Sequence, residues 1–182
     1  MIYKLKNCRN GEPAAYDSTV EITEQNETLF FRFTAQSSQY YCPNRGYNGI
    51  HSEGDACEIL IGSDPARKVY YEIEISPENE LMIAKMTYGG VNENNEPILH
   101  IDFVEKPFVE STVTKTENGY VAELKFRKKD ILSGDGEIYF NAYRLETDGG
   151  ESEKHLFALN PTMRGKFHVP PYYVYLKDYV NK

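Results

Sequence analysis

The strongest constraint on this chain is a period-two alternation of apolar and polar residues that recurs along nearly its whole length and leaves no room for a long amphipathic helix. Its sharpest instance is residues 111–126, where STVTKTE and YVAELKF flank Asn118-Gly119. Asn-Gly supplies the positive-φ positions of a tight primed turn, so this stretch predicts an antiparallel hairpin. Further alternating segments fall at residues 18–23, 28–34, 56–62, 69–76, 80–88, 97–104 and 137–147, with a last pair inside 155–176. The total is about ten strands. Residues 127–132 (RKKDIL) are the one stretch that reads as a helical turn, too short to stand alone. Many short strands with turn chemistry between them predict an all-β fold: an antiparallel, jelly-roll-like β-sandwich. A chain of 182 residues fits one such domain, residues 1–182, with a core large enough to need no staples.

The same period assigns faces. If Cys57, Ile59 and Ile61 point into the core, Glu58 and Leu60 fall on the other side. In the next segment Tyr71, Ile73 and Ile75 point inward, and Tyr70, Glu72 and Glu74 outward. Two neighbouring strands therefore present carboxylates on one side, where solvated glutamates are expected. Along residues 139–144 (YFNAYR), Phe140, Ala142 and Arg144 take the core side, with Arg144 paired to a buried carboxylate, while Asn141 and Tyr143 share the opposite face.

Composition narrows the function. The 28 acidic and 20 basic residues give a formal charge of -8, which opposes nucleic acid and anionic membranes as partners. Three widely spaced cysteines, Cys8, Cys42 and Cys57, read as reduced packing thiols. The N-terminus lacks an apolar run of secretory length and no stretch of 18 apolar residues occurs, so a cytoplasmic location is expected. No G-x-S-x-G, H-E-x-x-H, phosphate loop or C-x-x-C is present, and the four histidines have no metal-ligand spacing. A non-enzyme without a cofactor is expected. His168, in FHVPP, reads as a residue that fixes its turn through the backbone. The aromatic inventory is 15 Tyr, 9 Phe and no Trp, which suits half-buried sheets and surfaces that stack on a ligand. Residues 35–54, which carry Tyr40, Tyr41, Tyr47 and His51, form a long polar loop.

The chain ends on HLFALNPTMRGKFHVPPYYVYL, residues 155–176. With the acidic segment DACEILIGSD (55–64) and YFNAYR (139–144), this ending resembles the family 9 carbohydrate-binding modules and their DOMON-like relatives. There an acidic strand, an F-N-x-x-R strand and a terminal aromatic-H-x-P loop occur in this order. The resemblance implies a non-catalytic sandwich that binds a mono- or oligosaccharide, two aromatic side chains clamping a terminal sugar. By motif position it implies Phe167 as the terminal aromatic, and Glu58, Glu74, Tyr143 and Arg164 as readers of hydroxyls. For the first clamp position, where family members often carry Trp, Tyr47 and His51 are the nearest candidates. Relatives can also hold structural calcium, for which Asp55, Asp64 and residues 148–153 offer oxygen ligands. Two alternatives stand beside sugar binding: a protein-interaction sandwich that has lost it, and a small glycoside-active enzyme using the strand-face carboxylates.

Overall fold

A computed structural model describes residues 1–49, 53–133, 136–150 and 154–180. Two antiparallel sheets pack face to face as a β-sandwich. The smaller sheet contains β1 (Ile2–Lys4), β3 (Ser18–Gln25), β4 (Thr28–Gln36), β10 (Gly119–Arg127) and β9 (Glu110–Thr116), in that spatial order. The larger runs β2 (Lys6–Asn7), β12 (His155–Ala158), β11 (Tyr139–Glu146), β5 (Ala56–Gly62), β6 (Val69–Ile75), β7 (Leu81–Val91) and β8 (Pro97–Phe103). A two-residue strand, β13 (Val174–Tyr175), pairs with the first residues of β11.

The hairpin joins β9 to β10 as expected, but its turn sits one residue earlier than Asn118-Gly119: Thr116 lies opposite Gly119, so Glu117 and Asn118 make the turn, and pairing carries on to Glu110 and Lys125. Gly119, not Asn118, takes a positive φ. Gly119 is required there, because a Cβ would stand 2.0 Å from the Ala35 carbonyl oxygen. The helical turn appears as a single 3-10 turn at Lys128–Asp130, and two more close the C-terminal region at Pro170–Tyr172 and Leu176–Asp178. Sequence periodicity missed β1 and β2, since segments of three and two residues carry no measurable period.

The core lies between the sheets. Val20, Ile22, Phe31, Phe33, Tyr120, Leu124 and Phe126 from the smaller sheet meet Cys57, Ile59, Ile61, Ile73, Ile75, Phe140 and Ala142 from the larger. Arg144 sits among them, fully buried. Its guanidinium pairs with Glu146 on the same strand and donates to Ser18 Oγ at 2.6 Å and to the Gln36 carbonyl at 2.5 Å. Both latter partners belong to the smaller sheet, so one side chain ties the two sheets through the core.

The larger sheet is covered on its outer face as well. Every residue of β5 and of β11 is buried. A second apolar cluster explains this: Leu60, Tyr70, Ala84, Met86, Tyr139 and Tyr143 pack under Cys8 and Tyr173, with Phe167 against them. The covering pieces are the turn after β2 and the C-terminal loop. The expectation that Glu58, Glu72 and Glu74 are solvated is therefore overturned; they are 4%, 2% and 5% exposed. Alternation had placed them on the correct face, but it carries no information about a distant segment folding over that face.

Candidate functional site

The F-N-x-x-R strand builds the site by anchoring the C-terminal loop. Asn141 donates its amide to the Asn160 carbonyl at 2.8 Å and accepts from the Asn160 N–H at 3.0 Å, which pins the Asn160-Pro161 turn. Two residues on, and on the same face, the Tyr143 hydroxyl donates to the Phe167 carbonyl at 2.9 Å. Thr162 Oγ1 donates to the Lys166 carbonyl at 2.7 Å, and the Met163 N–H reaches the Cys8 carbonyl at 2.9 Å. The loop thus arrives over β5 and β6 held by the sheet through Asn141 and Tyr143, by its own Thr162, and by Cys8 in the turn after β2.

What the loop leaves open is a cleft of about 330 Å³. Its floor includes Glu58 from β5 and Glu72 and Glu74 from β6; Lys166, Phe167 and His168 line it from the loop, and Leu145, Leu156 and Pro97 add apolar surface. The Phe167 ring lies on the Tyr143 ring, centroids 4.3 Å apart and planes 24° apart. A buried tyrosine therefore backs the phenyl ring and fixes its orientation.

Glu58 stands directly across from Glu74 in the β5–β6 register, with Glu72 one same-face step along β6. Burial, with Glu72 and then Glu74 close by, pushes the Glu58 carboxyl well above the usual range. Burial and Glu72 do the same to Glu74. His168 connects Glu72 to Tyr70: its Nε2 is 3.2 Å from Glu72 Oε1, and its Nδ1 is 3.0 Å from the Tyr70 hydroxyl. The described partners of this ring are therefore side chains of the sheet, rather than the turn backbone expected from sequence.

A carboxyl held above its ordinary value of 4.5 by burial binds its proton more tightly in the folded chain than in the unfolded one. The resulting stability is fully present below that value and is lost as pH rises through the folded one. Glu74→Gln removes the titration at nearly constant shape. In chelator-treated protein the variant should match wild type near pH 4 and exceed it near pH 8, by about 1–3 kcal/mol, the typical cost of an uncompensated buried group. That is a rise of roughly 5 °C in Tm for a domain of this size. Melting curves across pH test it, and a difference independent of pH would contradict it.

Of the residues singled out from sequence, the structure brings together Phe167, Glu58 and Glu74 at the cleft. Tyr143 lies beneath Phe167, its hydroxyl engaged by the Phe167 carbonyl and by the Asn141 amide. Arg164 is exposed, does not line the cleft, and lies 3.4 Å from Asn95 Oδ1. Tyr47 is outside the cleft lining, and its hydroxyl donates to the Val104 carbonyl at 2.7 Å. His51 lies outside the described residues. Glu72, His168 and Lys166 were not among the sequence-chosen site residues. The period that marked Glu74 also marked Glu72, and its position beside Glu58 was the available signal. Of the loop carboxylates considered for calcium, Asp55 is engaged by the Tyr41 N–H and by the Thr147 N–H and hydroxyl, and Asp64 by the N–H groups of Ala66, Lys68 and Val69; residues 151–153 lie outside the described residues.

No family model matches the chain, and no curated protein matches it significantly. Solved structures do. A candidate carbohydrate-binding protein from Bacteroides uniformis superposes with a TM-score of 0.74 at 14% identity, over 95% of this chain and 84% of that one. A family 9 carbohydrate-binding module from Caldicellulosiruptor kristjanssonii in complex with glucose gives 0.53 at 12% identity, over 88% and 81%. The same organism's family 9 module in complex with cellotriose gives 0.51 at 12%, over 86% and 71%. The chain has the fold of these family 9 modules, and the sandwich expected from alternation and motif order is the observed one.

Proposed function

We propose that this chain is a non-catalytic carbohydrate-binding module that holds a sugar or the end of a glycan in the cleft beneath residues 166–168. The observation that carries the reading is the meeting of Phe167, Glu58 and Glu74 in one cleft, at the positions that motif order alone had selected. The chemistry fits. A pyranose offers apolar C–H patches to an aromatic ring, and the Phe167 ring is held rigidly against Tyr143. Its hydroxyls seek planar acceptors and charged donors, which Glu58, Glu74 and Lys166 provide. Tyr143 serves by positioning Phe167. The family 9 neighbours, solved with glucose and cellotriose, support the same ligand class.

The carboxylate geometry favours binding over glycoside cleavage. A retaining glycosidase needs its two carboxyl groups about 5–5.5 Å apart and an inverting one roughly 6.5–9.5 Å. Here one carboxylate oxygen from each of Glu58, Glu72 and Glu74 lies within 4.8 Å of the other two, closer than either spacing.

One aromatic wall of about 100 Å² contributes about 2.5 kcal/mol, and a few net hydrogen bonds add about 1 kcal/mol each. After the cost of association the expected dissociation constant is roughly 0.1–1 mM. Calorimetric titration with glucose, cellotriose and other mono- and oligosaccharides should find saturable one-site binding in this range, without sugar release. Absence of binding to every sugar class at about 10 mM, a concentration that would add at least about 1.4 kcal/mol at those affinities, would remove the proposal.

A further inference from the structure

The three carboxylates on the cleft floor form an arrangement that sugar hydroxyls alone do not explain. Glu58, Glu72 and Glu74 each place a carboxylate oxygen within 4.8 Å of the other two. Like charges directly opposite one another on neighbouring strands repel, and this trio is set in a buried site where repulsion is weakly screened. A second, independent feature points to a missing partner. Glu58 Oε1 and Glu72 Oε2 are fully shut off from solvent and no group outside the carboxylate trio donates a hydrogen bond to them, although their residues border the cleft. Buried polar atoms are nearly always satisfied, and two orphaned carboxylate oxygens on side chains whose carboxylates approach this closely mark a place where a cation belongs.

We propose that Glu58, Glu72 and Glu74 bind a divalent metal cation at the floor of the cleft, with its remaining coordination positions facing the open space beneath Phe167. The ligand set is all oxygen, which selects hard ions, calcium or manganese, over zinc or copper. His168, 3.2 Å from Glu72 Oε1 and steadied by Tyr70, orients that carboxylate as a supporting residue does around many metal centres. Three monodentate carboxylates leave part of the coordination sphere of such an ion open. Neighbouring hydroxyls of a sugar ring can complete it, so the ion would bridge protein and glycan. This last step rests on the sugar-binding reading; the cation site itself does not.

The test keeps the two apart. Protein stripped with EDTA and exchanged into metal-free buffer is titrated with Mn²⁺, followed by calorimetry and by the electron paramagnetic resonance of free Mn²⁺, and in parallel with Ca²⁺, with no sugar present. One ion per chain is expected, with affinity reduced at least tenfold in Glu58→Gln and in Glu72→Gln. Glu123→Gln should bind as wild type, since Glu123 is exposed on the other sheet beside Arg32. Circular dichroism establishes that each variant is folded. Binding of neither ion at millimolar concentration, or equal binding by Glu72→Gln and wild type, would overturn the site. So would stabilisation by glucosamine in EDTA without any response to metal, which would assign the carboxylates to a ligand ammonium. Sugar is then titrated with and without the ion: a loss of affinity of tenfold or more on chelation is expected, and an unchanged affinity would overturn the bridging role.

Discussion

Replacing Arg144 with alanine is expected to lower stability by about 3–5 kcal/mol, the usual result of removing one partner from a buried ion pair. The loss has a specific structural source. Arg144 is wholly buried between the sheets, paired with Glu146, and donates to Ser18 and Gln36 across the sandwich. The guanidinium also lies 5.8 Å from the Tyr120 ring centroid and 5.9 Å from that of Phe157. Truncation strands the Glu146 carboxylate in the core, where burial already holds its pKa above the ordinary value, and opens a void between the sheets. Melting should fall by roughly 10 °C or more. The double variant Arg144→Met, Glu146→Gln removes the stranded charge and should recover much of the loss. A single variant that melts within 2 °C of wild type would show that the tie between sheets is not a stabilising element.

Replacing Phe167 with alanine is expected to leave the chain folded and to abolish most sugar affinity. Losing about 100 Å² of stacking surface is worth about 2.5 kcal/mol, or roughly 50–100-fold in dissociation constant. Two outcomes separate this from general damage. The Phe167 side chain is half-buried at the loop, so stability should drop by only about 1–2 kcal/mol, mostly its contact with Tyr143. Phe167→Tyr keeps the ring and should retain binding within a few fold. Unchanged affinity in the alanine variant would mean that the ligand does not stack here.

Much of the fold was legible because an antiparallel sheet writes its period directly into the chain. The β9–β10 hairpin, though with its turn at Glu117-Asn118 rather than Asn118-Gly119, and the inward rows of β5 and β6 follow from it without further information. Arg144 was legible too, since its phase with Phe140 and Ala142 placed it on the core side. What periodicity could not reveal was the second covering of the larger sheet. The cover comes from Cys8 and from residues 159–173, far apart in sequence and without regular period. For that reason the glutamates of β5 and β6 read as a solvated face when they form the floor of a cleft.

The site was legible to the same limit. Strand residues Glu58 and Glu74 and the loop residue Phe167 stand in short motifs whose order can be matched, and they meet in space. Tyr143 shares that legibility of position, yet its hydroxyl is taken by the loop it supports. Tyr47 sits in an aperiodic loop, and its engagement with Val104 could not be inferred from spacing. Glu72 needed only the alternation already applied to Glu74, together with the recognition that three carboxylates on two adjacent strands converge.

The most direct test of the account is a sugar titration followed residue by residue in ¹⁵N–¹H correlation spectra, starting with glucose and cellotriose. Binding in the cleft predicts saturable shifts concentrated at residues 56–58, 72–74 and 166–168, with the five-stranded sheet unmoved. Saturable shifts centred on β9 and β10, or no shift with any sugar, would contradict it.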